Sequence, residues 1–153
     1  MNSDPSIQIP ALSVQQPWAE LIVSGRKTIE IRTWDTSYRG MIWLHTGLKE
    51  NRVLDEMFGY KELFRGGFLG SVFLEAIVAF DANRWELWRE RHLDGGSFRP
   101  GFYGWILNSP YRFSTPLIGK GSLGLFNPLP EIYERLVELN FNNPEWNDSD
   151  AHE

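Results

Sequence analysis

Three observations predict an α+β fold: a small closed or nearly closed β-barrel of about six short strands, with helices at its openings. The 153-residue chain carries 14 Gly and 9 Pro, a density of turn residues that favours strands over a helical bundle. Short segments that alternate apolar and polar, or run apolar for a strand's length, recur between residues 11 and 126. Helical periodicity is confined to a few brief stretches, the first directly after the first strand, an order that suits a barrel capped by helices. With 42% hydrophobic and 14% aromatic residues, one domain of this length can bury a real core.

In chain order, 1–10 reads as a polar, flexible N-terminus and Ala11–Val14 as a short strand. Gln16-Pro17 opens a helix, because proline is preformed for a first helical position. Trp18, Leu21 and Ile22 form its apolar face, and Gly25 supplies a left-handed C-terminal cap. Ile29–Trp34 alternates, with Glu30, Arg32 and Trp34 on one face. After a turn at Arg39-Gly40, Met41–Thr46 is a second alternating strand carrying His45. Lys49–Phe64 is expected to be helical, with Val53, Leu54, Met57 and Phe58 as its apolar stripe. Phe68–Phe80 is too long for one simple strand and should bend near Gly70 or Leu74. Asn83–His92 is a short helix with Asn83 as N-cap, and 94–101 is a loop. Phe102–Asn108, Phe113–Ile118 and Ser122–Phe126 are three further strands. Pro130–Leu139 is an amphipathic helix, and Phe141–Glu153 a frayed tail. The organisation is therefore a flexible 1–10, a folded 11–128 and an acidic helix and tail over 129–153.

Composition narrows the function. The absence of cysteine excludes disulfides, thiol catalysis and Cys-ligated zinc or iron–sulfur sites. His92 and His152 have no partners at metal-ligand spacing, so neither a metal nor another cofactor is expected. No signal peptide or apolar run of spanning length is present, which makes a soluble cytoplasmic protein the expectation and membrane partners unexpected. The net charge is −5, but residues 131–153 hold seven acids and one base (Arg135), leaving 14 bases and 13 acids in residues 1–130. A nearly neutral body can recognise one nucleotide or a short strand, but should not grip duplexes tightly. The acidic segment reads as a solvated face, or as a competitor of nucleic acid for a basic cleft.

The chemistry concentrates between Gly25 and Arg39. Glu30 and Arg32 share a strand face, with Lys27 at the corner just before it and Trp34 continuing it. Tyr38 and Arg39 follow in the next turn. Cations beside aromatic planes can bind a phosphate and stack a base, while a glutamate accepts from an exocyclic amine. The competing reading is a surface ion pair of Glu30 with Lys27 or Arg32, contributing about 0–1 kcal/mol.

The octapeptide Leu12-Ser13-Val14-Gln15-Gln16-Pro17-Trp18-Ala19 is followed by Gly25-x-Lys27-x-x-Glu30-x-Arg32, then by Arg39-Gly40 and a strand ending in His45. With Tyr103-Gly104-Trp105-Ile106-Leu107 and Lys120-Gly121-Ser122-Leu123-Gly124-Leu125-Phe126, this order resembles the ASCH domain family over about residues 11–128. The resemblance implies a PUA-like β-barrel of mixed strands, with Lys27, Glu30 and Arg32 lining a cleft beside the first helix. It implies RNA or a (modified) nucleoside as ligand; from their places along the chain, Gln16, Trp34, Tyr38, Arg39 and His45 are expected at the rim of that cleft. One branch of the family hydrolyses N4-acetylcytidine, another member is a ribonuclease, and a related domain occurs in a eukaryotic transcription coactivator. An enzyme of either kind would use Lys27 and Glu30 as its catalytic pair. Glu30 stands where the amidohydrolase branch has threonine, and a glutamate beside Lys27 is expected to hold it protonated. That branch's catalytic glutamate lies in a later stretch, for which Glu75, Glu86 and Glu90 are the candidates here.

Other signals have two readings each. Trp18 either packs in the core or stacks a ligand, and His45 is either a hydrogen-bonded structural residue or a catalyst. Gln16, at a helix start, is placed to meet phosphate. Tyr103 and Trp105 fill the barrel or flank a base. Glu75, in an apolar strand, is paired or has a raised pKa. Gly119-x-Gly121-x-x-Gly124 copies a dinucleotide fingerprint by letter only, because no helix pattern follows it. The zinc-deaminase pattern is absent. Exposed tryptophans would also suit a partner-binding module without catalysis. The oligomeric state is not readable from the sequence.

Overall fold

In a computed structural model, which describes residues 8–145, six strands form one curled, mixed sheet. The strands are β1 (Ala11–Ser13), β2 (Ile29–Arg32), β3 (Gly40–Thr46), β4 (Gly67–Ala79), β5 (Tyr103–Ile118) and β6 (Leu125–Phe126), in the order β2-β5-β4-β3-β1-β6. All neighbours are antiparallel except β1 and β3, which run parallel with Ser13 opposite His45. The helices are α1 (Trp18–Val23), α2 (Arg52–Met57), α3 (Ala82–Leu87), α4 (Arg89–His92) and α5 (Pro130–Leu139).

The concave face holds the main core: Leu12, Val14, Ile42, Leu44, Leu69, Val72, Leu74 and Trp105, capped by Ala19, Ile22 and Val23 of α1. Trp43, Phe68 and Phe113 face outward and are covered by Leu136 of α5. This second layer explains the unbroken apolar run of β4. Its first six residues are all buried because the strand lies between the barrel interior and α5, so alternation is lost. A third cluster of Ile29, Phe80 and Trp85 seats α3 and α4 against β2.

The expected bend of 68–80 takes the form of register shifts within a single 13-residue strand, two of them flanking Gly70 and Leu74. A Cβ at Gly70 would strike the carbonyl of Tyr111, so only glycine lets β5 cross there. Residues 103–118 form one 16-residue strand, not the two expected, because Ser109 takes a positive φ of 51° and β5 bends while remaining paired with β4. The closing strand is only Leu125–Phe126.

The helix expected over 49–64 is reduced to six residues, started by the Asn51 side chain accepting from Leu54 N. Its polarity also differs. Val53 and Met57 are exposed, while Asp55 is buried on Arg65 at 2.8 Å. Leu54 and Phe58 turn inward instead, Phe58 edge-on to Trp18 at 5.4 Å. Asp81, not Asn83, caps α3 by accepting from Arg84 N at 2.7 Å. The start of the acidic tail is anchored: Asn140 and Asn143 are buried, and Ser71 Oγ donates to Asn140 Oδ1 at 2.9 Å. The remainder of the expected frayed tail lies outside the described residues.

Candidate nucleic-acid interface

Glu30 and Arg32 lie opposite Trp105 and Tyr103 on β5, so both side chains point to the concave side, at the mouth of the barrel. A cavity of about 870 Å³ opens there, lined by Ser13, Trp18, Glu30, Arg32, Trp34, His45 and the 121–124 loop among others. β2 and β1 are far apart in strand order, yet the curl of the sheet brings them together. Arg32 spans the gap, donating from Nη2 to the carbonyl of Ser13 at 2.8 Å and from Nε to Glu30 Oε2 at 3.1 Å. A guanidinium thus links the two sides of the sheet where backbone pairing does not.

Lys27 stands behind this wall. Its ammonium is 2% exposed, donates to the carbonyl of His92 at 2.5 Å, lies 3.7 Å from Glu30 Oε1 and sits 4.7 Å over the Trp18 ring. Burial pushes the Lys27 pKa below the ordinary lysine value, against the opposing pull of the Glu30 and Asp94 carboxylates. Glu30 favours the protonated form of Lys27, as expected, but desolvation is the larger effect on its pKa.

His45 is 2% exposed and held at both nitrogens, Nδ1 by Ser13 Oγ and Nε2 by the carbonyl of Gly119, each at 2.9 Å. Phe68 and Phe126 pack edge-on to its ring at 4.8 and 5.9 Å. Burial lowers its pKa, with the Gly119 carbonyl working the other way. Trp34 lies just past the end of β2, edge-on to Trp105 at 4.8 Å, and its carbonyl accepts from Trp105 Nε1. Trp105 is fully buried in the main core, as the barrel-filling reading has it.

Over residues 12–111 the sequence matches the family described as the ASCH domain. The chain belongs to the ASCH domain family. A 57-residue stretch is 49% identical to activating signal cointegrator 1 of Homo sapiens and 52% identical to that of Mus musculus. Each match covers 36% of this chain and 10% of the relative, so the chain spans about a tenth of the length of these proteins. The crystal structure of ASCH from Zymomonas mobilis superposes with a TM-score of 0.62 at 19% identity, covering 86% of this chain and 95% of that one. A variant of that protein superposes at 0.59, covering 89% and 99%. At such identity the likeness speaks for the fold. The curled, six-stranded mixed sheet with its helices is the PUA-like ASCH architecture.

Within this ASCH domain, the residues expected to form one cleft divide into three groups. Glu30, Arg32, Trp34 and His45 line the cavity, and Lys27 supports them from behind. Gln16, Tyr38 and Arg39 are not among its lining residues. Gln16 is 1% exposed, and its amide donates to the carbonyl of Phe64 and accepts from Glu20 N, tying α1 to the 58–66 loop. Tyr38 donates to the Met41 carbonyl at 2.6 Å, and burial pushes its phenol up to about 12. Arg39 is exposed and bonds the carbonyls of Thr36 and Tyr38. Glu75, Glu86 and Glu90 are absent from the lining: Glu75 accepts from Asn108 on the surface, Glu86 pairs with Arg89, and Glu90 is exposed. Sequence reasoning missed Ser13, which lies in the quoted Leu-Ser-Val segment but is brought to the cavity by the strand beside it, and the 121–124 loop, of which 122–124 was expected to belong to the closing strand.

Among the described residues no helix is long and apolar enough to cross a membrane. No group of three His, Cys, Asp or Glu among them is arranged to hold a metal ion.

Proposed function

We propose that this ASCH domain binds RNA, or a nucleoside or modified nucleoside, in the cleft around Lys27, Glu30 and Arg32. The observation that carries this reading is the Arg32 guanidinium and Glu30 carboxylate side by side on the wall of an open cavity of about 870 Å³, beside Trp18 and Trp34. Arg32 offers charged N–H donors to a phosphate. Glu30 offers acceptor lone pairs to an exocyclic amine. Trp34 offers a ring face for stacking. Lys27, too buried to meet a ligand directly, balances the charge of Glu30 when Arg32 turns to the phosphate.

Filter binding or fluorescence anisotropy with a short single-stranded RNA tests the reading. Arg32→Ala, shown to be folded by circular dichroism, should weaken binding about tenfold or more, the equivalent of roughly 1.4 kcal/mol. The slope of log affinity on log salt should also fall by about one. Unchanged affinity in the folded variant removes the proposal.

A second reading, a metal-independent amidohydrolase of N4-acetylcytidine, is supported by the Lys27 amine standing 3.7 Å behind the cavity-lining Glu30 Oε1, so that a lysine of lowered pKa could exchange a proton with the cleft through that carboxylate. Chromatography of acetylcytidine incubated with the protein should then show cytidine, in excess of a Lys27→Ala control. Equal turnover in both discards it.

A further inference from the structure

We propose that Ser13 and His45 form a nucleophile–base pair that hydrolyses carboxylic esters at the cleft wall. The argument begins with proton placement. The Gly119 carbonyl can only accept, so His45 Nε2 carries the proton that bridges them at 2.9 Å. The ring is buried and its pKa is lowered by that burial, so it stays neutral and Nδ1 keeps a free lone pair. The Ser13 hydroxyl, 2.9 Å away, therefore donates to Nδ1. A serine hydroxyl donating to an imidazole whose other nitrogen is anchored is the arrangement that activates serine as a nucleophile.

The surroundings hold this geometry. Ser13 and His45 are register partners on adjacent parallel strands. The ring is fixed edge-on between Phe68 and Phe126. The backbone of Gly121 presses on the same ring so closely that a Cβ there would collide with Cε1 and Nδ1. His45 is largely buried but lines the cavity, and Ser13 is half-buried beside it on the cleft wall. Arg32 is anchored to the carbonyl of Ser13 itself, and its Nη1 makes no hydrogen bond among the described residues. That leaves a cationic donor beside the nucleophile for an oxyanion.

The chemistry balances without a cofactor. Ser13 Oγ bonds to the acyl carbon as its proton passes to His45 Nδ1, and the carbonyl oxygen becomes the oxyanion. The bond to the alcohol oxygen then breaks, and Nδ1 returns the proton to that oxygen. Water next gives a proton to Nδ1 as its oxygen adds to the acyl carbon. The bond to Oγ breaks, Ser13 recovers the proton, and the carboxylic acid leaves. Esters are the indicated class rather than amides. A neutral carbonyl, not a carboxylate, holds Nε2, so the imidazolium is less stabilised and the pair suits an alkoxide leaving group better than an amine. This activity goes beyond ligand binding and does not depend on the ligand being RNA.

The full chain should be incubated with p-nitrophenyl acetate and, separately, with a fluorophosphonate probe. The expected result is a burst of nitrophenol and a single phosphonylated residue, Ser13, located by mass spectrometry of the wild-type protein. Ser13→Ala should abolish both, and His45→Gln should slow labelling about 100-fold or more, the usual range for loss of a general base. Absence of labelling in the wild-type chain, labelling at another residue, or equal labelling in Ser13→Ala overturns the proposal. Mapping the label on the wild-type chain decides the matter even where a variant does not fold. RNA binding is read in its own assay, so failure there leaves this outcome unaffected.

Discussion

Replacing Arg32 with alanine removes the guanidinium that ties β2 to β1 across the open side of the sheet. Two charge-assisted hydrogen bonds are lost, to Ser13 O at 2.8 Å and to Glu30 Oε2 at 3.1 Å. Each such bond has a net worth of about 1.5–3 kcal/mol when well shielded. The Arg32 side chain is 20% exposed, so water recovers part of that loss for the Ser13 carbonyl. The Glu30 side chain is only 9% exposed and is left with Lys27 at 3.7 Å, so its share is recovered less well. The expected destabilisation is about 2–4 kcal/mol, below the two-bond maximum. At a urea m-value of about 2 kcal/mol/M, the midpoint falls by roughly 1–2 M. The assay is equilibrium unfolding followed by tryptophan fluorescence, with Arg135→Ala as control. Arg135 pairs with Glu138 on the surface, where both side chains exceed 60% exposure, and its loss should cost about 0–1 kcal/mol. A cycle with Glu30→Gln should return a coupling of about 0.5–3 kcal/mol. If Arg32→Ala unfolds within about 1 kcal/mol of the wild type, the reach of the surface control, the sheet does not depend on this side chain for closure, and the reasoning fails.

Two further predictions rest on buried groups. Lys27 is a base whose folded pKa lies below its unfolded value of 10.5, so the unfolded chain binds more protons between those two values. Stability should therefore rise with pH across that window, and Lys27→Met should flatten this limb of the pH–stability curve; a falling limb in the wild type contradicts the assignment. Leu136 of α5 is fully buried against Trp43, Phe68 and Phe113, whereas Val53 of α2 is 75% exposed. Leu136→Ala should cost about 2–5 kcal/mol in thermal or urea unfolding, and Val53→Ser within about 0.5 kcal/mol; the opposite order would mean that the two helices are wrongly docked.

Much of the chain's local structure was legible in the residues themselves. Gly25 caps α1 with a φ of 84°, Pro130–Leu139 is helical over the range its periodicity indicated, and alternation placed Glu30 and Arg32 on one face. Each of these depends on neighbours within a few positions, which is the range that pattern reading covers. The α2 stripe misled because a six-residue helix buries too little for periodicity to choose its inner face. The buried Asp55–Arg65 pair chose it instead. Continuity of β5 was hidden because Ser109 and Pro110 look like a turn, and only pairing with β4 keeps the strand intact.

The site shows the same division. By itself the sequence determined the family, the order of elements and the presence of a Lys, a Glu and an Arg near one strand. Only the tertiary structure decided which of them meet the cleft. Strand alternation says which way a side chain points, not what comes to lie over it. Folding closed β2 onto β1 with Arg32 between the two strands and Lys27 behind Glu30, and it paired β1 with β3 so that Ser13 meets His45. It also left Gln16, Tyr38 and Arg39 with backbone partners away from the cavity. The physical reason is that burial, and with it the pKa of Lys27 and the tautomer of His45, is a property of contacts between segments distant in the chain.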